Sequence, residues 1–351
     1  MQEACARAGL DAGTTALAQD RAPLLAAALR EHGAAAVLVT AGAPTDDGCW
    51  YWLDSRHARG WIAPEPDETV PLLRQAWEAN LLEGYVPVDA ALLLWPTLPR
   101  LSWGNEPIPK DRAPTADATM TEAPLGLYAI VDSAAAVRRV LEVGVRTVQL
   151  RVKKPADADA AWEAALRMAV RDSVLAAGDH GALLFINDHW RLAAEMGAAG
   201  VHLGQEDLLA LGDQGRAELR ATGMALGVSS HSVWELCRAR SLAPRYIACG
   251  PIWPTTTKAM PWRPQGVDNL AWWCHVAGTP VVAIGGILTP EQVRQAAAWG
   301  ASGVCVLRGL GSDPRLTVAT LQQAFDGGRQ QAPREERRPV QRLHPTLDGE
   351  A

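Results

Sequence analysis

From Gly126 onward the chain has a regular rhythm: short apolar, β-branched runs alternate with amphipathic stretches at intervals of about 20 to 30 residues. Eight runs read as strands: Leu127 to Val131, Thr147 to Leu150, Leu183 to Ile186, Gly200 to Leu203, Ala225 to Val228, Tyr246 to Ala248, Val281 to Ile284 and Gly303 to Leu307. Helices fit between them. Ala158 to Ala177 places Trp162, Ala165, Leu166, Ala169 and Val170 on one stripe, and Pro290 to Trp299 opens with a Thr289-Pro290-Glu291 start signal. Eight βα units in about 200 residues predict an α/β fold of the (β/α)8 TIM-barrel kind rather than a doubly wound sheet. No GxGxxG follows a strand, which speaks against a dinucleotide fold.

The stretch Leu183 to Asp207 repeats one design twice. An apolar run ends at Asn187-Asp188, a helical segment follows from Trp190 to Met196, and a second run ends at Gly204-Gln205-Glu206-Asp207. Successive parallel strands deliver their trailing residues to one edge of the sheet, so Asp188 and Asp207 are candidates to share a cation.

Residues 1–121 follow a different pattern and read as a smaller N-terminal α/β appendage. Arg21 to His32 predicts a helix, Ala35 to Thr40 and Cys49 to Asp54 predict strands, and Glu68 to Leu82 a second helix. From Trp95 to Pro124 the composition turns to Pro, Gly, Asp and Thr and reads as a linker, with a boundary near Thr121. The barrel is expected over residues 122–328, and residues 329–351, rich in Arg, Gln, Pro and Glu, as a disordered tail.

Composition narrows the function classes. A formal net charge of -6, with no basic run in the first 320 residues, excludes an electrostatic footprint for nucleic acid. The 6 cysteines form no CxxC pair, so neither a zinc ribbon nor a disulfide framework is suggested, and a cytoplasmic location is expected. No apolar run reaches the roughly 18 residues a membrane span needs. The expected partners are small molecules, with no nucleic acid and no membrane, and a homo-oligomer stays open.

The residues that follow the predicted strands supply Gln149, Arg151 and Lys153, then Asn187 and Asp188, then Asp207, Ser229, Thr255 to Lys258, Gly285 and Gly286. Cations, hard carboxylate oxygens and neutral donors together suit a diphosphate held through Mg²⁺, which takes one or two carboxylates plus phosphate oxygens. Each residue also has a plain structural reading. Asp188 is a possible helix cap or turn former, Arg151 and Lys153 a solvated rim, His202 a satisfied core histidine, His189 and His231 helix-entry residues, and Thr255 to Thr257 a polar loop.

Six motifs in order decide between these readings: Gln149-Leu150-Arg151-Val152-Lys153, Phe185-Ile186-Asn187-Asp188, Val201 to Asp207, Gly227-Val228-Ser229, Gly250 to Lys258 and Ala283 to Ile287. From Leu125 to about Leu310 the chain resembles the thiamine phosphate synthase family. That resemblance implies a transferase that forms a C–N bond between a hydroxymethylpyrimidine diphosphate and a thiazole phosphate with loss of diphosphate. It implies that Arg151, Lys153 and Lys258 grip the diphosphate, Ser229 bonds it, and Asp188 and Asp207 hold Mg²⁺. Asn187 would orient the pyrimidine, with Gln149 beside it in the substrate site, while Thr255, Thr257, Gly285 and Gly286 bind the thiazole phosphate. Arg308 stands where many members carry a phosphate-contacting serine; amides at Leu307 and Arg308 remain available. A thiazole tautomerase-like or phosphosugar isomerase barrel and a non-catalytic regulatory barrel are the competing readings, and joint retention of Arg151, Lys153, Asp188, Asp207 and Lys258 argues against the isomerising ones.

Residues 28–54 resemble the C-terminal part of ribokinase-like pyrimidine kinases of thiamine biosynthesis. Those kinases cradle the transferred phosphate at a glycine-rich helix start with an Asp base, and no such element occurs between Met1 and Met120. The full chain is therefore expected to show no ATP-dependent pyrimidine phosphorylation in a coupled assay. Kinase activity present in the full chain and absent from a form starting near Thr121 would overturn this.

Overall fold

A computed structural model of the chain describes residues 19–41, 50–64, 73–105, 108, 124–256, 261–331 and 343–347. The chain divides into two compact units, one of residues 1–114, 232–243 and 344–351, the other of residues 115–231 and 244–343.

The first unit carries a sheet of order β1-β2-β3-β4: β1 (Ala36–Ala41), β2 (Trp50–Ser55), β3 (Arg59–Ala63) and β4 (Arg100–Leu101), all antiparallel. The register sets Trp52 opposite Trp61, and the two rings meet edge to face with centroids 5.2 Å apart, a favoured aromatic geometry. Helix Ala22–Glu31 buries Ala22 and Ala26 in the same core with Val37 and Val39. The predicted second helix is Leu73–Leu82, its expected first turn lying outside the described residues. Residues read as linker from Trp95 differ from expectation: Trp95, Leu98 and Leu101 are buried, and Ser102 accepts the Trp61 N–H at 2.8 Å. A two-residue strand is too short to show an alternating pattern, so composition alone masks it. The expected tail falls largely outside the described residues.

The second unit is a closed barrel of parallel strands in the order β10-β11-β12-β5-β6-β7-β8-β9. Its strands are β5 (Gly126–Val131), β6 (Thr147–Leu150), β7 (Leu183–Asn187), β8 (Gly200–Leu203), β9 (Ala225–Ser230), β10 (Tyr246–Cys249), β11 (Val281–Ala283) and β12 (Gly303–Val306). The eight predicted runs are these strands, within one or two residues at each end. Helix Ala160–Asp179 starts on Asp159, which accepts the Trp162 N–H at 2.8 Å, and Pro290–Ala298 starts on a Thr289–Gln292 capping box. The buried face of the former includes Leu166, Val170, Ser173, Ala176 and Ala177, with Trp162 and Ala169 half-buried beside it, so of the predicted stripe only Ala165 is exposed.

Inside the barrel, Tyr128, Phe185 and Tyr246 form an aromatic cluster, with Phe185 and Tyr246 edge to face at 5.1 Å. These rings need glycine opposite them. A Cβ on Gly227 would lie 2.3 Å from the Tyr246 ring, and one on Gly200 would lie 2.6 Å from the Phe185 ring. Small and large residues thus interdigitate to fill the interior at crystal-like density.

The first unit also holds a buried acid. Asp89, in helix Pro87–Leu92, is 3 % exposed and accepts the Trp234 N–H at 2.9 Å. Trp234 lies in the first turn of helix Val233–Arg240, whose N-cap Ser232 accepts the Glu235 N–H. Burial pushes the Asp89 carboxyl up to about 8, against the lowering effect of the Trp234 and Val233 amides. The native state therefore binds more protons than the unfolded chain between the ordinary value of 3.8 and about 8, and stability falls as pH rises through that window. Thermal melts should show this slope, and Asp89→Asn, which keeps an acceptor for Trp234 without a charge, should flatten it. A wild-type slope retained in Asp89→Asn would refute the assignment to this group.

Candidate active site

The candidate residues that the structure describes lie on or after strands that end at one rim of the barrel. At the end of β6, Gln149 is buried and donates through Nε2 to the Tyr128 hydroxyl at 3.1 Å. Arg151 and Lys153 follow beyond the strand, the Arg151 amide still bonded to the Val131 carbonyl at 2.7 Å. Lys153 Nζ meets Asp188 Oδ2 at 2.5 Å, with the side chains 55 % and 27 % exposed. An ion pair this wet contributes at most about 1 kcal/mol to stability. Its value lies in holding a cation and an anion side by side at the mouth.

Asp188 has φ 65, one of two non-glycine residues with positive φ among those described. Aspartate tolerates the left-handed region better than most residues, yet the conformation is uncommon and marks functional turns. Its amide bonds the His202 carbonyl at 3.1 Å, and its carbonyl accepts the Trp190 N–H at 2.9 Å, so the turn is held on both sides. His189 is a helix-entry residue as expected, and its ring also bonds the Val152 carbonyl at 2.9 Å, tying this turn to the one after β6. Next to it, Asn187 is 5 % exposed, and its side-chain Nδ2 has no hydrogen-bond partner among the described residues. A buried amide without a partner costs about 1 to 3 kcal/mol, so Asn187 is set for a ligand acceptor.

Asp207 is exposed at the start of helix Gln205–Ala210, and its Oδ2 accepts the Gly204 N–H at 3.1 Å. The capping reading is thus real, and it engages one oxygen only. Among the described residues no group of three or more His, Cys, Asp or Glu side chains could hold a metal. Two carboxylates at the ends of neighbouring strands match instead the sparse protein ligation of Mg²⁺, which keeps phosphate and water oxygens.

Ser229, near the end of β9, lies half-buried, and its Oγ is 2.8 Å from His202 Nε2. Burial lowers the His202 pKa to about 4, so the ring is neutral at pH 7. His202 is therefore the satisfied core histidine expected from its strand position, and also the neighbour of a predicted site hydroxyl. Sequence reasoning missed that second role, and missed Tyr128 and Tyr246 altogether, because aromatic residues in a strand read as core.

On the opposite side of the rim, Gly285 and Gly286 both have positive φ, 92 and 72. A Cβ on Gly286 would fall 2.5 Å from the Trp253 carbonyl oxygen. The Trp253 amide bonds the Gly285 carbonyl at 3.1 Å, and Gln292 Nε2 donates to the Gly286 carbonyl at 3.1 Å, leaving the loop bare of side chains where phosphate amide sites are built. Arg308 at the start of a 3-10 turn donates to Thr256 Oγ1 at 3.0 Å, joining the end of β12 to the loop after β10. Thr255 lies in that loop, Leu307 precedes the turn and is exposed, and Thr257 and Lys258 lie outside the described residues. Beyond that gap, the Trp262 ring stacks on His231 at 5.4 Å. The buried cysteines Cys237, Cys249 and Cys305 are free thiols whose pKa values burial raises, which removes them as nucleophiles.

A parallel barrel whose strand ends carry paired carboxylates, cations, a buried unpaired amide and a glycine loop is an enzyme of phosphorylated substrates. Residues 127–310 match the family model described as thiamine monophosphate synthase. The chain is 43 % identical over 222 residues to a thiamine-phosphate synthase of Photorhabdus laumondii, covering 61 % of this chain and 96 % of that one. It is 44 % identical over 209 residues to the enzyme of the same name from Neisseria meningitidis serogroup A, covering 59 % and 97 %. A solved thiamine phosphate pyrophosphorylase from Pyrococcus furiosus aligns with a TM-score of 0.49 and 25 % identity over 58 % of this chain and 96 % of that one. The chain belongs to the thiamine monophosphate synthase family. Its activity is that of a transferase, and the tautomerase and regulatory readings are not favoured. Among the described residues no helix is long and apolar enough to cross a membrane.

The Gly286 geometry makes a stability prediction. Gly286→Ala should lower stability by clearly more than Gly197→Ala, which shares a positive φ but meets nothing within 4 Å. The strain of a positive φ is of order 1 kcal/mol, and denaturant midpoints should separate the two. Equal midpoints would rule out the close approach to Trp253.

Proposed function

We infer that the barrel joins 4-amino-5-hydroxymethyl-2-methylpyrimidine diphosphate to a thiazole phosphate, giving thiamine phosphate and diphosphate. The observation that carries this reading is the turn at Asp188, which sets an acid beside Lys153 and next to the unpaired amide of buried Asn187.

The C–O bond of the exocyclic methylene breaks first, and its electron pair leaves with diphosphate. The aminopyrimidine ring stabilises the cation that remains, and the thiazole nitrogen then donates its lone pair to form the C–N bond. Arg151, Lys153 and Lys258 hold the diphosphate and stabilise its growing charge, with the Ser229 hydroxyl adding a bond. Asp188 and Asp207 would hold Mg²⁺, which supplies charge neutralisation on the leaving group when bound. Asn187 and Gln149 orient the pyrimidine. Thr255, Thr257, the Gly285 and Gly286 loop, and the amides of Leu307 and Arg308 anchor the thiazole phosphate, which aligns its nitrogen by proximity. No covalent nucleophile is needed.

A mixture of both substrates with Mg²⁺ and the full chain should yield thiamine phosphate, detected by chromatography, and chelation of the metal should stop it. Asp188→Ala or Lys258→Ala should each lower turnover by ~10²–10³, the usual size of a lost electrostatic contact in a transition state. Wild-type turnover in either variant would remove that residue from the mechanism, and no product from the unaltered chain would sink the reading.

A further inference from the structure

A line of hydrogen bonds crosses the barrel interior from β6 to β9. Gln149 Nε2 donates to Tyr128 Oη at 3.1 Å, Tyr128 Oη lies 2.8 Å from Tyr246 Oη, Tyr246 Oη lies 2.7 Å from His202 Nδ1, and His202 Nε2 lies 2.8 Å from Ser229 Oγ. All members but Ser229 are buried. The amide nitrogen of Gln149 can only donate, so Tyr128 must accept there. Its own proton then has one described acceptor, Tyr246, which in turn must donate to His202 Nδ1. A neutral imidazole that accepts at Nδ1 carries its proton on Nε2 and donates it to Ser229. Running the line backwards would strand the Tyr128 proton against the Gln149 amide inside the core, and an unpaired buried polar group is costly.

We propose that Gln149, Tyr128, Tyr246 and His202 form a one-way hydrogen-bond relay that occupies the Ser229 oxygen from behind and leaves its hydroxyl proton free for an acceptor oxygen of the substrate diphosphate. Tyr246 and His202 are then positioning residues acting through Ser229. Two further contacts hold the terminus in place: Gln205 Nε2 donates to the Ser229 carbonyl and to Ser230 Oγ, each at 3.1 Å. The rings of His202 and Tyr246 also stack, 5.7 Å apart and 17° from parallel, which keeps the imidazole from turning. With Tyr246 donating to Nδ1, that nitrogen carries no proton, so the imidazole is the neutral ring protonated on Nε2. The proposal rests on the reading of the mouth as a diphosphate site.

Two measurements on the full chain test it. Long-range ¹H–¹⁵N NMR of the substrate-free protein at neutral pH should show His202 protonated on Nε2 and bare on Nδ1; the opposite tautomer overturns the relay. In a double-mutant cycle, Tyr246→Phe should lower kcat/KM about tenfold, the worth of one hydrogen bond, and less than about twofold when Ser229→Ala is already present. Equal losses in both backgrounds would mean that Tyr246 acts by packing alone and would overturn the proposal. Absence of turnover in the unaltered chain counts against the synthase reading only, since the NMR measurement needs no substrate and still decides the relay.

Discussion

Closure of the parallel sheet is the constraint on which the site depends. Eight parallel strands joined edge to edge bring every carboxyl end to one rim. The register carries that order down to single residues: Asn187 pairs with His202, Ser229 with Ala248, and Ala283 with Val304. Closure in turn depends on what fills the interior. Tyr246 and Phe185 occupy space that Gly227 and Gly200 leave open, so a side chain at either glycine would push on a ring of the barrel core.

Polar groups inside the barrel divide into two kinds. Those deep in the interior, Gln149, Tyr128, Tyr246 and His202, bond one another in a continuous line. Those at the mouth remain incomplete: Asn187 has an unpaired amide nitrogen, and the Lys153–Asp188 pair is too wet to matter for stability. Native structures seldom leave a buried amide unpaired without a reason. The incomplete groups lie at the mouth, and the complete ones lie deeper in the barrel. The first unit uses its polar groups differently. Asp89 caps the turn at Trp234, and Ser102 caps the Trp61 strand position. Both serve the backbone, and neither leaves a donor or acceptor facing a ligand.

Much of the fold was legible because burial has a period. Alternating or continuous apolar runs marked all eight barrel strands, and Thr289-Pro290 marked a helix start by its capping chemistry. The position of the candidate residues that the structure describes was legible for a related reason, since the residue after a barrel strand is committed to the rim whatever the rest of the chain does. What failed was local. The two-residue strand Arg100–Leu101 has no room for a pattern, and Ala165, expected on the stripe of helix Ala160–Asp179, is exposed because Ala carries little periodic signal.

The barrel, its strand ends and the types of group at its rim can be read from the order of residues along the chain. Which groups meet there cannot: Asp188 at positive φ beside Lys153, Arg308 against Thr256, and Ser229 against His202 are contacts made by folding. The physical reason is distance along the chain. Periodicity reports which face of an element is buried, a property of a few consecutive residues. The Tyr128–Tyr246 bond joins residues 118 apart and the His202–Tyr246 bond residues 44 apart, and such partners exist only once the sheet has closed.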